Sequence, residues 1–167
     1  MDTTNQEVDI GKWKIEYSRD INKPPIMIPA NRVIPANGYF VISNYSNESN
    51  NSILNIEVDM SNASMNLLPS NNGNLVLKDA YGEIVDQALG ETQWAKGEVI
   101  QVEDTTYHSM QRNGEYNYGL NPDSWNTCIS VSCNDPLYWK SEYTLNFGTP
   151  GSPNANWILV IQLPLGN

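Results

Sequence analysis

The sequence predicts an all-β fold on three observations. Short runs rich in β-branched and aromatic residues recur along the chain, Gly, Pro, Asn and Asp separate them, and no long stretch repeats at helical period. With 167 residues at 40% apolar content the chain can bury one core but hardly two, so a single domain is expected.

Each element follows from its local pattern. In "KWKIEY", Trp13, Ile15 and Tyr17 alternate with Lys14 and Glu16, which predicts a half-buried strand with the large side chains on one face and the charges on the other. "GYFVISN" is apolar at successive positions from Tyr39 to Ile42 and reads as a central strand, with Pro35 and Gly38 breaking the chain before it. Residues 44–74 are rich in Asn and Ser, with apolar positions too sparse for a second core, and read as a long loop carrying one or two short strands. Asn44, Asn47, Asn50 and Asn62 each head an Asn-X-Ser sequon, which marks glycosylation only in a host that uses that chemistry. "NLVLKD" and "EIVDQAL" then pair as a hairpin around Asp79-Ala80-Tyr81-Gly82, where Gly82 can take the positive φ a tight connection needs. The hairpin is expected to give Leu75, Leu77, Ile84 and Ala88 to the core. Asp86, polar within the second strand, needs something to hold it: loop amides on its carboxylate, or a cation shared with Asp79 or Glu83.

Charge and chemistry narrow the function classes. The formal net charge is −10, and the nine basic residues are scattered from Lys12 to Lys140 with no run that could neutralise neighbouring phosphates, so nucleic acid is not expected as a partner. The longest apolar stretch, "WILVI" at Trp157 to Ile161, falls far short of the ~20 residues that cross a bilayer. The opening "MDTTNQEVD" has neither the basic start nor the apolar stretch of a secretory signal. His108 is the only histidine, and its neighbour Ser109 would point to the opposite face of a strand, so no His-based triad is expected. Glu83 with Asp86, and Glu103 with Asp104, sit in or beside turns and read as solvated carboxylates rather than an acid-base pair. No phosphate-binding glycine motif is present, and "DMSNAS" lacks the Gly and Glu of a calcium loop, so no cofactor and no metal is expected. Cys128 and Cys133, in "CISVSC", lack the further ligands of a zinc set and are either a small disulfide ring, in an oxidising compartment, or two free thiols.

Taken in order, "DIGKW", "IPANGYFVISN", "LLPSNNGNLVLKDAYGEIVDQALG", "QWAKGE", "HSMQRNG" and "FGTPGSPN" resemble the lamin tail domain family, bacterial or archaeal type. The residues that carry the resemblance are Trp13, Gly38, Tyr39, Gly73, Leu77, Asp79, Gly82, Asp86, Trp94, Gly97, Ser109, Arg112, Thr149, Pro150, Gly151 and Asn154. It covers Val8 to Asn154, and the hairpin is its most specific part. It implies an immunoglobulin-like β-sandwich over residues 1–154.

The chain departs from the family in three places. The two strands that normally precede the Gly-Trp strand are missing, "EVIQVEDTTY" is inserted before "HSMQR" and is expected to lengthen a loop, and the segment around "CISVSCNDPLYWKSEYT" is longer than usual. Missing strands would leave an open sheet edge. The apolar segment of residues 155–167 is expected to add a strand to that edge, within its own chain or by exchange in a homodimer.

The resemblance implies a non-enzymatic interaction or structural module of a larger extracellular or cell-surface protein, with its protein or glycan partner unnamed. The alternative is a carbohydrate-binding module accompanying a secreted enzyme, for which Trp125, Tyr138 and Trp139, in the longer segment, are the candidate stacking residues.

Overall fold

The computed structural model describes residues 5–17, 22–65, 74–89, 94, 96–101, 103–113 and 119–154. Within them the chain runs as short strands, with no α-helix. The first part holds β1 (Val8–Asp9), β2 (Lys14–Tyr17), β3 (Ile26–Met27), β4 (Val33–Ile34), β5 (Ile42–Ser43) and β6 (Met60–Ser61). There follow β7 (Asn74–Lys78), β8 (Ile84–Leu89), β9 (Glu98–Gln101), β10 (Thr105–His108), β11 (Met110–Arg112), β12 (Trp125–Thr127) and β13 (Asn146–Phe147). The all-β class is therefore observed directly.

The largest sheet is antiparallel, in the order β3-β2-β7-β8. Side chains alternate between its faces. Ile26, Ile15, Leu77 and Asp86 form one row across the four strands, and Met27, Lys14, Lys78 and Ile84 form the next row, on the other face. On that second face Glu16 bridges β2 and β7, with Lys14 Nζ at 2.7 Å and Lys78 Nζ at 2.6 Å from its carboxylate. The two ammonium groups, Lys14 first, hold the Glu16 carboxyl below its ordinary value. Pairing between the arms of β2 and β3 continues beyond the sheet: Lys12 N donates to Ile28 O at 3.0 Å and Ile10 N to Arg32 O at 2.8 Å, which leads into the β1–β4 pair. Ile10, Ile26 and Ile28 come out of water along this seam and are among the most buried apolar side chains described.

The structure departs from the sequence expectations at three points. Ile84 does not join the core but is 54% exposed. The ladder shifts register between Leu77 and Lys78, so that Leu77 faces Asp86 while Lys78 faces Ile84, and this bulge at Val85 moves Ile84 onto the charged face. "GYFVISN" is not a central strand: only Ile42–Ser43 pair, in parallel with Met60–Ser61. Ahead of them Val41 N donates to the Asp59 carboxylate at 2.7 Å, so a side chain takes the bond a neighbouring strand would supply. The inserted "EVIQVEDTTY" does not lengthen a loop but forms the β9–β10 hairpin, in which Val99 pairs with Tyr107 and Ile100 with Thr106. Its β-branched alternation suits a pleated pair.

Cys128 and Cys133 form a disulfide, with their Cα atoms 6.2 Å apart and both side chains fully buried. The bridge lies where several elements meet. Cys133 O accepts from Gly148 N at 2.9 Å and from Trp139 Nε1 at 3.0 Å, and Cys128 N donates to Ser109 O at 3.0 Å. β10 also pairs in parallel with β13, giving the order β13-β10-β9. The stretch from Cys128 to Phe147 is thus tied down by one covalent link and a set of backbone bonds.

Candidate functional site

The β7–β8 hairpin and its anchor are the best-defined surface feature. Asp79 shapes the turn: its Oδ1 accepts from Tyr81 N and Glu83 N, each at 2.9 Å, and its own N donates to Glu83 O at 2.9 Å. Gly82 closes the loop at φ 92°, a conformation that side-chain-bearing residues rarely adopt. The turn expected around Gly82 is thus present. It holds Tyr81 93% exposed, with Ile84 and Val85 (48% exposed) following it on the outgoing strand. On the other side of the sheet, Ile15, Leu75, Leu77 and Ala88 line a shallow apolar groove of about 150 Å³, bordered by Asp86 and Gln87.

Arg112 anchors the far end of β8. Its Nη2 donates to Asp86 Oδ2 at 2.5 Å, its guanidinium carbon lies 4.3 Å from the Trp125 ring centre, and its carbonyl accepts from Asn154 Nδ2 at 2.7 Å. Asp86 Oδ1 meanwhile accepts from Gln87 N at 2.8 Å. Asp86 is therefore held by the amide of the next residue in β8, not a loop amide, and by a guanidinium from β11, which can donate to the carboxylate and stack on an indole at once. Gly119 lies against the same strand, where any Cβ would overlap the Gln87 carbonyl.

The other sequence-singled residues hold turns and seams. Trp13 O accepts from Ile28 N at 2.8 Å, and Gly38 N donates to Pro35 O at 2.8 Å. The Tyr39 hydroxyl is buried, and that burial, followed by the neighbouring Tyr138, pushes its phenol above the ordinary value. Trp94 is half-buried, and Gly97, at φ 83°, passes close to the backbone of His108 and Met110. Thr149 Oγ1 accepts from Gln111 Nε2 at 3.0 Å just before Pro150 and Gly151, the latter at φ 72° beside Ile56 and Val41. Gly73 and residues 155–167 lie outside the described residues.

The three aromatic candidates are each half-buried and fall in two neighbourhoods. Trp125 sits with Arg112 and donates its Nε1 to Gly119 O at 3.0 Å. Tyr138 and Trp139 lie by residues 53–55, where Asn55 N donates to Tyr138 O and Leu54 bridges Trp139. Both indole N–H groups are thus directed to backbone carbonyls, which is how a rim tryptophan satisfies its polar edge.

His108 is equally committed. Its Nδ1 lies 2.8 Å from Cys128 O, an acceptor only, so Nδ1 carries the proton and Nε2 faces the Thr106 hydroxyl at 2.9 Å. The ring stacks on Phe147 with centroids 4.4 Å apart. Among the described residues no group of three His, Cys, Asp or Glu side chains could hold a metal ion, and no helix is long and apolar enough to cross a membrane.

Tyr81 and Gln111 stand out only in the structure. An aromatic residue in the middle of a predicted four-residue turn was a readable sign of exposure, whereas nothing in "HSMQR" marks Gln111 as a buried polar side chain. Comparison with protein-family models, with curated proteins and with solved structures gives no match to this chain.

Proposed function

We propose that this chain is a non-enzymatic interaction module, of lamin tail type and immunoglobulin-like sandwich architecture, that serves a larger extracellular or cell-surface protein. The observation that carries the reading is the β7–β8 hairpin, which holds Tyr81, Ile84 and Val85 out in water while Asp79 and Arg112 fix its two ends. Exposed apolar residues scattered singly are ordinary, but three on one rigid hairpin favour a contact surface. The buried disulfide supports an oxidising compartment. The Asp86–Arg112–Asn154 connection supports the family reading, because three motif residues distant in sequence are joined through Arg112, Asp86 at its guanidinium and Asn154 at its carbonyl. A carbohydrate platform has less support, since the indole edges of Trp125 and Trp139 are spent on backbone carbonyls.

The test is capture from the envelope fraction of the source cells on the immobilised domain, followed by titration of the purified captured protein. Saturable binding at micromolar strength or tighter, lost in a Tyr81→Ser/Ile84→Ser/Val85→Ser variant that keeps the wild-type circular dichroism, is the expected result. Binding indifferent to that variant, or no saturable partner at all, refutes the reading.

A further inference from the structure

The chemistry of the hairpin tip narrows the class of partner, granted the interaction-module reading on which that class depends. Of the four charged groups on the hairpin from Lys78 to Asp86, two are ion-paired, although Glu16 is shared between Lys78 and Lys14 and leaves that cluster one positive charge. Lys78 is paired with Glu16 at 2.6 Å, and Asp86 with Arg112 at 2.5 Å. The other two, Asp79 and Glu83, flank the tyrosine and make no ion pair among the described residues. Asp79 Oδ1 accepts the two turn amides, of Tyr81 and Glu83, which holds its carboxylate at the turn backbone, and Glu83 is exposed. The tip thus carries an aromatic ring and two aliphatic side chains with two carboxylates that have no ion pair among the described residues, on a chain whose formal net charge is −10.

We infer that Tyr81 is the anchor of a docking site for a protein segment that carries Lys or Arg directly beside apolar residues. The apolar part would cover Tyr81, Ile84 and Val85, and the cations would face Asp79 and Glu83. Like charge tells against an anionic bilayer as the occupant, and equally against a second copy of this acidic chain placed tip to tip. The backbone at the tip is held before any partner arrives, by the Asp79 amide bonds and the Asp79 N to Glu83 O bond, so little ordering remains to be done on contact. Tyrosine supplies a large contact area with few rotatable bonds and is enriched among residues that dominate interface energies.

The test uses a phage-displayed random peptide library selected on the immobilised wild-type domain, with enriched peptides then titrated in solution. Enriched sequences should place Lys or Arg next to aromatic or aliphatic residues. Their affinity should fall about tenfold or more in Tyr81→Ser. It should fall several-fold in Glu83→Gln and on raising the salt concentration, while Leu137→Ser, another exposed apolar position, leaves it unchanged. Tyr81 has almost no packing to lose, and circular dichroism confirms that the variants are folded. Failure to enrich any peptide, or peptides without basic residues, would overturn the assignment. Peptides that bind Tyr81→Ser as well as wild type would also overturn it, yet leave the broader module reading standing, since they would locate binding elsewhere. Two further outcomes would replace the occupant and so sink the proposal: Tyr81-dependent binding to vesicles of phosphatidylcholine with phosphatidylglycerol, and a Tyr81-dependent dimer in sedimentation.

Discussion

Breaking the Cys128–Cys133 bridge should weaken the fold by a calculable amount. The two cysteines are separated by five positions, and closing so short a loop removes little entropy from the unfolded chain. The chain-entropy relation gives about 2 kcal/mol at this length. Two perturbations separate that contribution from packing. Wild-type protein unfolded and refolded with reductant keeps both sulfurs and loses only the crosslink, so its unfolding free energy should drop by about 2 kcal/mol. The Cys128→Ala/Cys133→Ala double variant also removes two fully buried sulfur atoms, and should therefore lie below the reduced wild type by a further ~1–2 kcal/mol. Urea unfolding followed by tryptophan fluorescence reads the difference, because Trp139 donates to Cys133 O and reports on that segment. A slope of ~2 kcal/mol per molar urea puts the reduced protein's midpoint about 1 M below the oxidised one. Identical midpoints for the oxidised and reduced proteins would show that backbone bonds alone hold residues 128–147, and would refute the assignment of the bridge as the fastener of that region.

Four other outcomes are expected. Asp86→Asn should cost at most about 1 kcal/mol, because its carboxylate is half exposed, whereas Arg112→Ala should cost more, about 2 kcal/mol, by also baring the Trp125 ring; thermal denaturation of both variants checks the order. Gly82→Ala meets no atom within 4 Å and should cost only the ~1 kcal/mol of its positive φ, while Gly119→Ala would drive a methyl group into the Gln87 carbonyl and should abolish or severely weaken folding, as read by soluble yield and melting temperature. Glu16 has a carboxyl held below its ordinary 4.5 by Lys14 and Lys78, so its contribution is present above that value and is lost as pH falls through the lowered folded value. Glu16→Gln should accordingly lower stability at neutral pH, flatten the acid limb of a stability-against-pH curve and converge with wild type at the acid end. At the alkaline end the raised phenol of Tyr39 works the other way: its contribution is complete below the ordinary 10.0 and is lost as pH rises through the folded value, so Tyr39→Phe should flatten the alkaline limb.

The sequence alone determined what depends on neighbours along the chain. The β class, the hairpin with Gly82 at its turn and the half-buried strand at Lys14–Tyr17 were readable because alternation and turn chemistry act over a few residues. Tertiary structure decided everything that depends on residues far apart. No local pattern says that Arg112 will reach Asp86, that Asp59 will take the amide of Val41, or that β10 will pair with β13. The two readings of "CISVSC" could not be separated by spacing, since five positions can bridge only if the intervening turn brings the Cα atoms close, as it does here at 6.2 Å. Ile84 shows the limit most plainly. Alternation counted from Leu75 and Leu77 put it in the core, but a bulge shifts the count by one residue, and in a structure of period two a single step changes the face. A bulge is a property of two strands together, and its outcome here is an apolar side chain in water beside Tyr81, which is where the proposed site lies.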